Sequence, residues 1–201
     1  MKTNRLFLLF ALSMICFVGC QSHFISEAEV RRAVADDFEQ RRALFTEGGV
    51  FDVFEQELTA DERGAMEFLY SSMISSDLGD YDGGFFLANV RQSLLAREQM
   101  PWGKDVPEDL FRHFVLPIRV NNERLDEFRM EYYDELAERI KGMSLHDAAL
   151  EINHWCHEKA TYVPTDRRTS SPMATMLTGE GRCGEESTLT VSALRTVGIP
   201  A

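Results

Sequence analysis

Apolar residues recur at helical spacing along most of this chain, and glycine, proline or polar punctuation separates the runs. Val30, Val34 and Phe38 predict a helix from Ser26 to Phe45, opened by a capping box of Ser26 with Glu29 and ended by Gly48-Gly49. A second box, Thr59 with Glu62, opens a helix whose apolar face includes Met66, Leu69, Tyr70, Met73 and Ile74. A third helix covers Phe85 to Gln99. Pro101 to Asp105 reads as a loop; Pro107 then starts a short helix through Phe114, which Pro117 breaks. Glu123 to Lys141 is a strongly amphipathic helix, with Leu125, Phe128, Tyr132, Leu136 and Ile140 on one side, and Gly142 ends it. Ser144 caps a helix running to about Lys159, with Leu145, Ala149, Ile152 and Cys156 on one stripe. Tyr162 to Met173 is extended or irregular, Gly179 to Gly184 is a glycine-rich turn, and Glu185 to Val197 is a last helix stopped by Gly198 and Pro200.

The first residues carry a different pattern. Lys2 and Arg5 precede an almost wholly apolar stretch from Leu6 to Val18, and Gly19-Cys20 leads into polar Gln21-Ser22. A basic start, a short apolar run and a small residue before the cut mark a secretory signal over 1–19. Phe17-Val18-Gly19-Cys20 also resembles the bacterial lipobox, which makes Cys20 the lipidated first residue of the mature protein. That places the protein in the cell envelope, anchored to a bacterial membrane through lipid. Formal charge is −12, and loss of Lys2 and Arg5 makes the mature part more acidic still. This balance argues against nucleic-acid binding and against a basic membrane-surface patch.

Cys16 leaves with the signal and Cys20 takes the lipid, so Cys156 and Cys183 remain. Export makes a disulfide between them possible, though their settings differ. Two apparent metal signals fail. Asp77, Asp80, Asp82 and Gly83 suggest a calcium loop, but Leu78 and Asn89 fall where its first ligand and bidentate glutamate are needed. His154 and His157 flank Trp155-Cys156 without an evident third ligand, so Cys156 reads as a small core residue and the histidines as partly exposed. No metal and no cofactor is expected.

Chemistry is concentrated in Gly181-Arg182-Cys183-Gly184-Glu185-Glu186-Ser187-Thr188. A cysteine here sits in glycine-flanked backbone directly before a helix, where unpaired N–H groups and a partial positive charge favour thiolate over thiol. Arg182 adds to this if it faces the sulfur, and Gly184 lets a substrate carbonyl approach the backbone. Glu185 and Glu186 are expected to cap the first turn and point outward. Taken alone, such a turn is also compatible with a buried cysteine beside a helix cap.

The longer string is more specific. Residues 179–187 followed by Ala193-Leu194-Arg195-Thr196-Val197-Gly198-Ile199-Pro200-Ala201 resemble the transglutaminase-like superfamily, with its Gly-x-Cys turn, helix and Gly-Ile-Pro-Ala exit. Ile152, Trp155, Tyr162 and the lead-in loop Thr175-Met176-Leu177 fit the same pattern over about 140–201, and 116–123 looks like the lead-in of exported bacterial relatives. The resemblance implies an α+β, papain-like fold in the full protein, of which the portion present is mostly α-helical with the β-sheet largely missing. The expected organisation is a helical region over 20–141 and the N-terminal part of a transglutaminase-like domain over 142–201. The resemblance also implies Cys183 as a nucleophile forming a thioester with a peptide or protein amide, in a peptidase or amidase. The oxyanion hole would use the Cys183 N–H and an upstream donor, with Trp155 one candidate. Histidine and its orienting acid come after the cysteine in the family, whereas every histidine here precedes Cys183. The expectation is therefore an incomplete chain, inactive by itself. The alternative is a non-catalytic envelope lipoprotein that binds peptide or glycan.

Overall fold

The computed structural model describes residues 23–45, 47–164 and 168–201. The signal segment and Cys20 lie outside them. Helices dominate: α1 (Ala28–Leu44), α2 (Ala60–Ser72), α3 (Ser75–Asp80), α4 (Gly83–Gln99), α5 (Glu108–Phe114), α6 (Phe128–Arg139), α7 (Leu145–Lys159), α8 (Pro172–Thr178) and α9 (Cys183–Thr196). The sheet among the described residues is one parallel pair, β1 (Thr161–Tyr162) with β2 (Glu180–Gly181), in register Thr161 to Glu180 and Tyr162 to Gly181. The expected mostly helical chain with little sheet is what is observed. No described helix is long and apolar enough to cross a membrane.

The packing runs from α1 on α2, through α2 on α4 and α4 on α6, to α9, against which α6, α7 and α8 all lie. One buried apolar cluster extends from Phe24 to Ile199. Its first half is aromatic, with Phe38, Phe51, Phe54, Tyr70 and Phe86 meeting mostly edge to face. Its second half centres on Trp155, Ile152, Leu189 and Ala193, none of them exposed. The boundary expected at 141/142 falls between α6 and α7, and residues on both sides of it share this cluster. Hydrogen bonds cross it as well, among them Trp102 Nε1 donating to the Val197 carbonyl at 3.0 Å and the Ala201 N–H to the Phe114 carbonyl at 3.1 Å.

Local chemistry explains where the helices differ from the periodicity. The Thr59–Glu62 box forms as expected, with Glu62 N–H on Thr59 Oγ1 (3.2 Å) and Thr59 N–H on Glu62 Oε2 (2.8 Å). Thr59→Ala is expected to cost about 1 kcal/mol, read as a fall in urea midpoint with unchanged slope. The Ser26–Glu29 box does not form: α1 starts after Glu27, and the Ser26 N–H donates to Glu108 Oε1 at 2.9 Å. The helix expected from Glu123 is shorter, because Glu123 serves a turn instead. Its carboxylate accepts the N–H groups of Val120 (2.8 Å) and Asn121 (2.7 Å), and Asp126 caps Phe128 at 3.1 Å. Thr175-Met176-Leu177, expected as a loop, lies in α8. Ser171 caps this helix, Pro172 opens it, and Gly179 ends it at φ +68°, where a side chain is disfavoured.

Helix α4 begins at Gly83, with Asp82 as its cap, and Asp77 pairs with Arg119; these acids are thus engaged in structure rather than in a calcium loop. Ile74 follows the end of α2 and is half exposed, and Leu145 is exposed at the start of α7.

Candidate active site

The turn before α9 is built by short-range rules. Gly179 closes α8 in the left-handed region, its N–H donating to the Thr175 carbonyl at 2.9 Å. The chain then lies along β1, with Thr161 N–H on the Gly179 carbonyl (2.9 Å) and Val163 N–H on that of Gly181 (2.8 Å). Arg182 is extended (φ −86°, ψ −177°), and Cys183 is the first residue of α9, two residues earlier than the periodicity places the helix. Its N–H and that of Gly184 belong to the first turn, where no intrahelical acceptor exists. Cys183 is exposed and free. Cys156 is free too, so the disulfide between them does not form. Burial pushes the Cys156 thiol up to about 11, with a hydrogen bond to Thr190 working the other way.

Glu185 overturns the expectation that it points outward. It is completely buried, and its carboxylate accepts the N–H of Ser170 (3.0 Å), the N–H of Arg182 (3.1 Å) and Arg182 Nε (3.2 Å). Burial alone would raise its pKa. The backbone N–H groups of Ser170, Glu185 and Arg182, with the Arg182 charge, outweigh that and hold the carboxyl below its usual range. A carboxyl that titrates lower when folded stabilises fully above its unfolded value, and that contribution is lost as pH falls through the lower folded value. The inward turn of Glu185 also explains Gly181: a Cβ there would sit 2.6 Å from Glu185 Cβ. Gly184 lies beneath Thr169, whose Oγ1 would be 3.4 Å from an added Cβ. Thr169 is itself buried.

The other expected site residues are placed as follows. Arg182 joins the turn by bonding Glu185. Trp155 is fully buried on α7, and its indole N–H donates to Glu135 Oε1 at 2.7 Å, across to α6 rather than to Cys183. Its ring packs against Phe128 and Tyr132, with Lys159 Nζ 5.2 Å from the centroid. His154 and His157 are exposed on α7, and no group of three metal-ligating side chains occurs among the described residues.

An open groove of about 400 Å³ separates α7 from α9. Glu186 and Ser187 line it, one turn along α9 from Cys183, opposite Cys156 and His157.

An exposed cysteine opens α9, behind a glycine turn and before a Gly-Ile-Pro exit. Residues 134–201 match the family model of the transglutaminase-like superfamily. The match covers the last third of the chain, from within α6 through α9, and so takes in Trp155, the Cys183 turn and Arg195. No curated protein and no solved structure matches the chain. Within the matched segment, the sequence pointed to Cys183, Arg182 and Gly184 and to Glu185 as a cap, but missed that Glu185 is buried and that Thr169 lies over Gly184. The signal for Glu185 was its place three residues after Arg182, the spacing of a capping glutamate.

Proposed function

We propose that Cys183 is the nucleophile of a transglutaminase-like cysteine enzyme that acts on amide bonds of peptides or proteins, as a peptidase or amidase. The observation that carries this reading is the placement of Cys183 itself: exposed, at the open start of α9, while Cys156 is buried. In the reaction the thiolate attacks the amide carbonyl carbon, a C–S bond forms, and the C–N bond breaks as the amine leaves with a proton. Water then cleaves the thioester and returns the thiol. First-turn N–H groups, including that of Cys183, suit the oxyanion. The leaving amine needs a proton donor. Every histidine precedes Cys183, contrary to the order the family resemblance implies, so in this reading the chain alone does not turn over amides.

The same reading includes export and a lipid anchor at Cys20, on the strength of Lys2, Arg5, the apolar run and Gly19-Cys20. The mature protein then works in the cell envelope.

An activated ester separates these statements, because p-nitrophenolate leaves without a proton. p-Nitrophenyl acetate is expected to acylate Cys183 stoichiometrically, with the adduct mapped by mass spectrometry and absent in Cys183→Ala. An adduct that forms elsewhere, or equally in Cys183→Ala, removes the nucleophile assignment. Cys183-dependent hydrolysis of unactivated peptide amides by this chain would instead show that it is active by itself. Reversible peptide or glycan binding with no acyl adduct would favour a binding lipoprotein.

A further inference from the structure

Thioester chemistry needs no acid two residues after the nucleophile, yet Glu185 is there and fully buried. One carboxylate gathers three pieces of chain. Ser170 N–H comes from the loop before α8, Arg182 N–H and Nε come from the residue before the nucleophile, and Glu185 itself belongs to the first turn of α9. Cys183 and Gly184 lie between the two anchored residues, Arg182 and Glu185. Gly181 leaves no room for a side chain against Glu185, so the packing is specific on that side as well. Thr169, beside Ser170, is thereby held over Gly184.

We propose that Glu185 is the positioning residue of the nucleophile turn: its buried carboxylate fixes the backbone that carries Cys183 and holds the 168–171 loop across Gly184, so that thiol and first-turn N–H groups meet a substrate carbonyl in one arrangement. This rests on Cys183 being the nucleophile. The reason for Glu185 is geometry and not its charge. An anion beside a thiolate disfavours it, so a carboxylate acting through space alone would slow the cysteine. Here its oxygens are occupied by three donors, Arg182 among them. Among the described residues, the other titratable groups on the adjoining loop and turn are Arg168, Glu180, Cys183 and Glu186.

Position and charge predict opposite outcomes. The test measures the rate of Cys183 alkylation by iodoacetamide against pH in the wild type, Glu185→Gln and Glu185→Asp, each shown to be folded by circular dichroism. Under positioning, both variants slow about tenfold near neutral pH and their profiles move to higher pH. Glu185→Asp does so although it keeps the charge, because its carboxylate stops one methylene short. A faster Glu185→Gln, or a Glu185→Asp that matches the wild type, overturns the proposal. A role in global stability alone would leave the profile of the folded protein unmoved. If neither variant folds, hydrogen exchange of the wild type decides. Ser170 and Arg182 amides are expected to be protected at neutral pH and to open together only below the ordinary carboxylate range. Free exchange at neutral pH overturns the anchor. A wild-type Cys183 that reacts like an unperturbed thiol defeats the nucleophile reading instead, and the exchange measurement still reads the anchor separately.

Discussion

Iodoacetamide added to the folded protein near neutral pH is expected to alkylate Cys183 and leave Cys156 unmodified. Cys183 is exposed at the start of α9, where the reagent meets it directly. Cys156 is 6% exposed and belongs to the core cluster beside Ile152 and Leu189. Burial also pushes its thiol up to about 11. At neutral pH such a thiol is ionised about one part in ten thousand, and only the thiolate reacts. Access and ionisation therefore act in the same direction, and the native rate ratio should exceed about 100. Peptide mapping over a time course gives both rates from one sample. The control is the same experiment in guanidinium chloride, where the two thiols should converge. Comparable native rates would mean that α7 and α9 do not hold Cys156 closed. That would remove the physical distinction on which the choice of nucleophile stands.

The contrast between the two cysteines was legible in the sequence, since one lies on an apolar stripe and the other in a glycine turn before a helix. Most helices were legible for the same reason: a periodic apolar face is read directly from spacing. What the pattern could not convey is where charged groups are buried, because periodicity assigns every acid and base to solvent. Glu185 turns inward to take N–H groups that a helix start leaves unpaired. Glu123, counted into an amphipathic helix, leaves it to close a turn on Val120 and Asn121. The Trp155 N–H depends on Glu135, which lies on another helix and is related to it only by tertiary packing. Helix α8 is a different case. Its seven residues are too few for a period, but Ser171-Pro172 at one end and Gly179 at the other mark it by capping chemistry.

Buried arginines make the same point with a larger consequence for stability. Residues 115–120 connect α5 to the segment before α6 without helix or strand, and Val115 and Leu116 are fully buried. Their carbonyls must find donors inside the protein. Arg129, on α6 and 5% exposed, supplies them: Nη2 donates to Val115 O (2.9 Å) and Pro117 O (3.3 Å), and Nη1 to Leu116 O (3.3 Å) and Ser93 Oγ. Arg195, from α9, adds bonds to the carbonyls of Pro117 (3.0 Å) and Arg119 (3.1 Å). Two cations from two helices thus hold one irregular segment, and α9 carries Cys183 at its other end. Burial, with the Arg195 charge nearby, pushes Arg129 down to about 9, so it stays charged at neutral pH. Removing the guanidinium in Arg129→Met ends its own desolvation cost, but it strands the Val115 and Leu116 carbonyls in the interior, while the Pro117 carbonyl keeps Arg195 and the Ser93 hydroxyl keeps its bond to the Asn89 carbonyl. Each stranded group costs about 1–3 kcal/mol, so the net loss should be about 3 kcal/mol, or roughly 10 °C in Tm for a chain of this size. Lysine reaches the site with one point charge and cannot span the same acceptors, so Arg129→Lys should recover only part of the loss. Urea midpoints of the three proteins measure this. If Arg129→Met is as stable as the wild type, the carbonyls of Val115 and Leu116 have other donors and the arginine is not what seats this segment against α6 and α9.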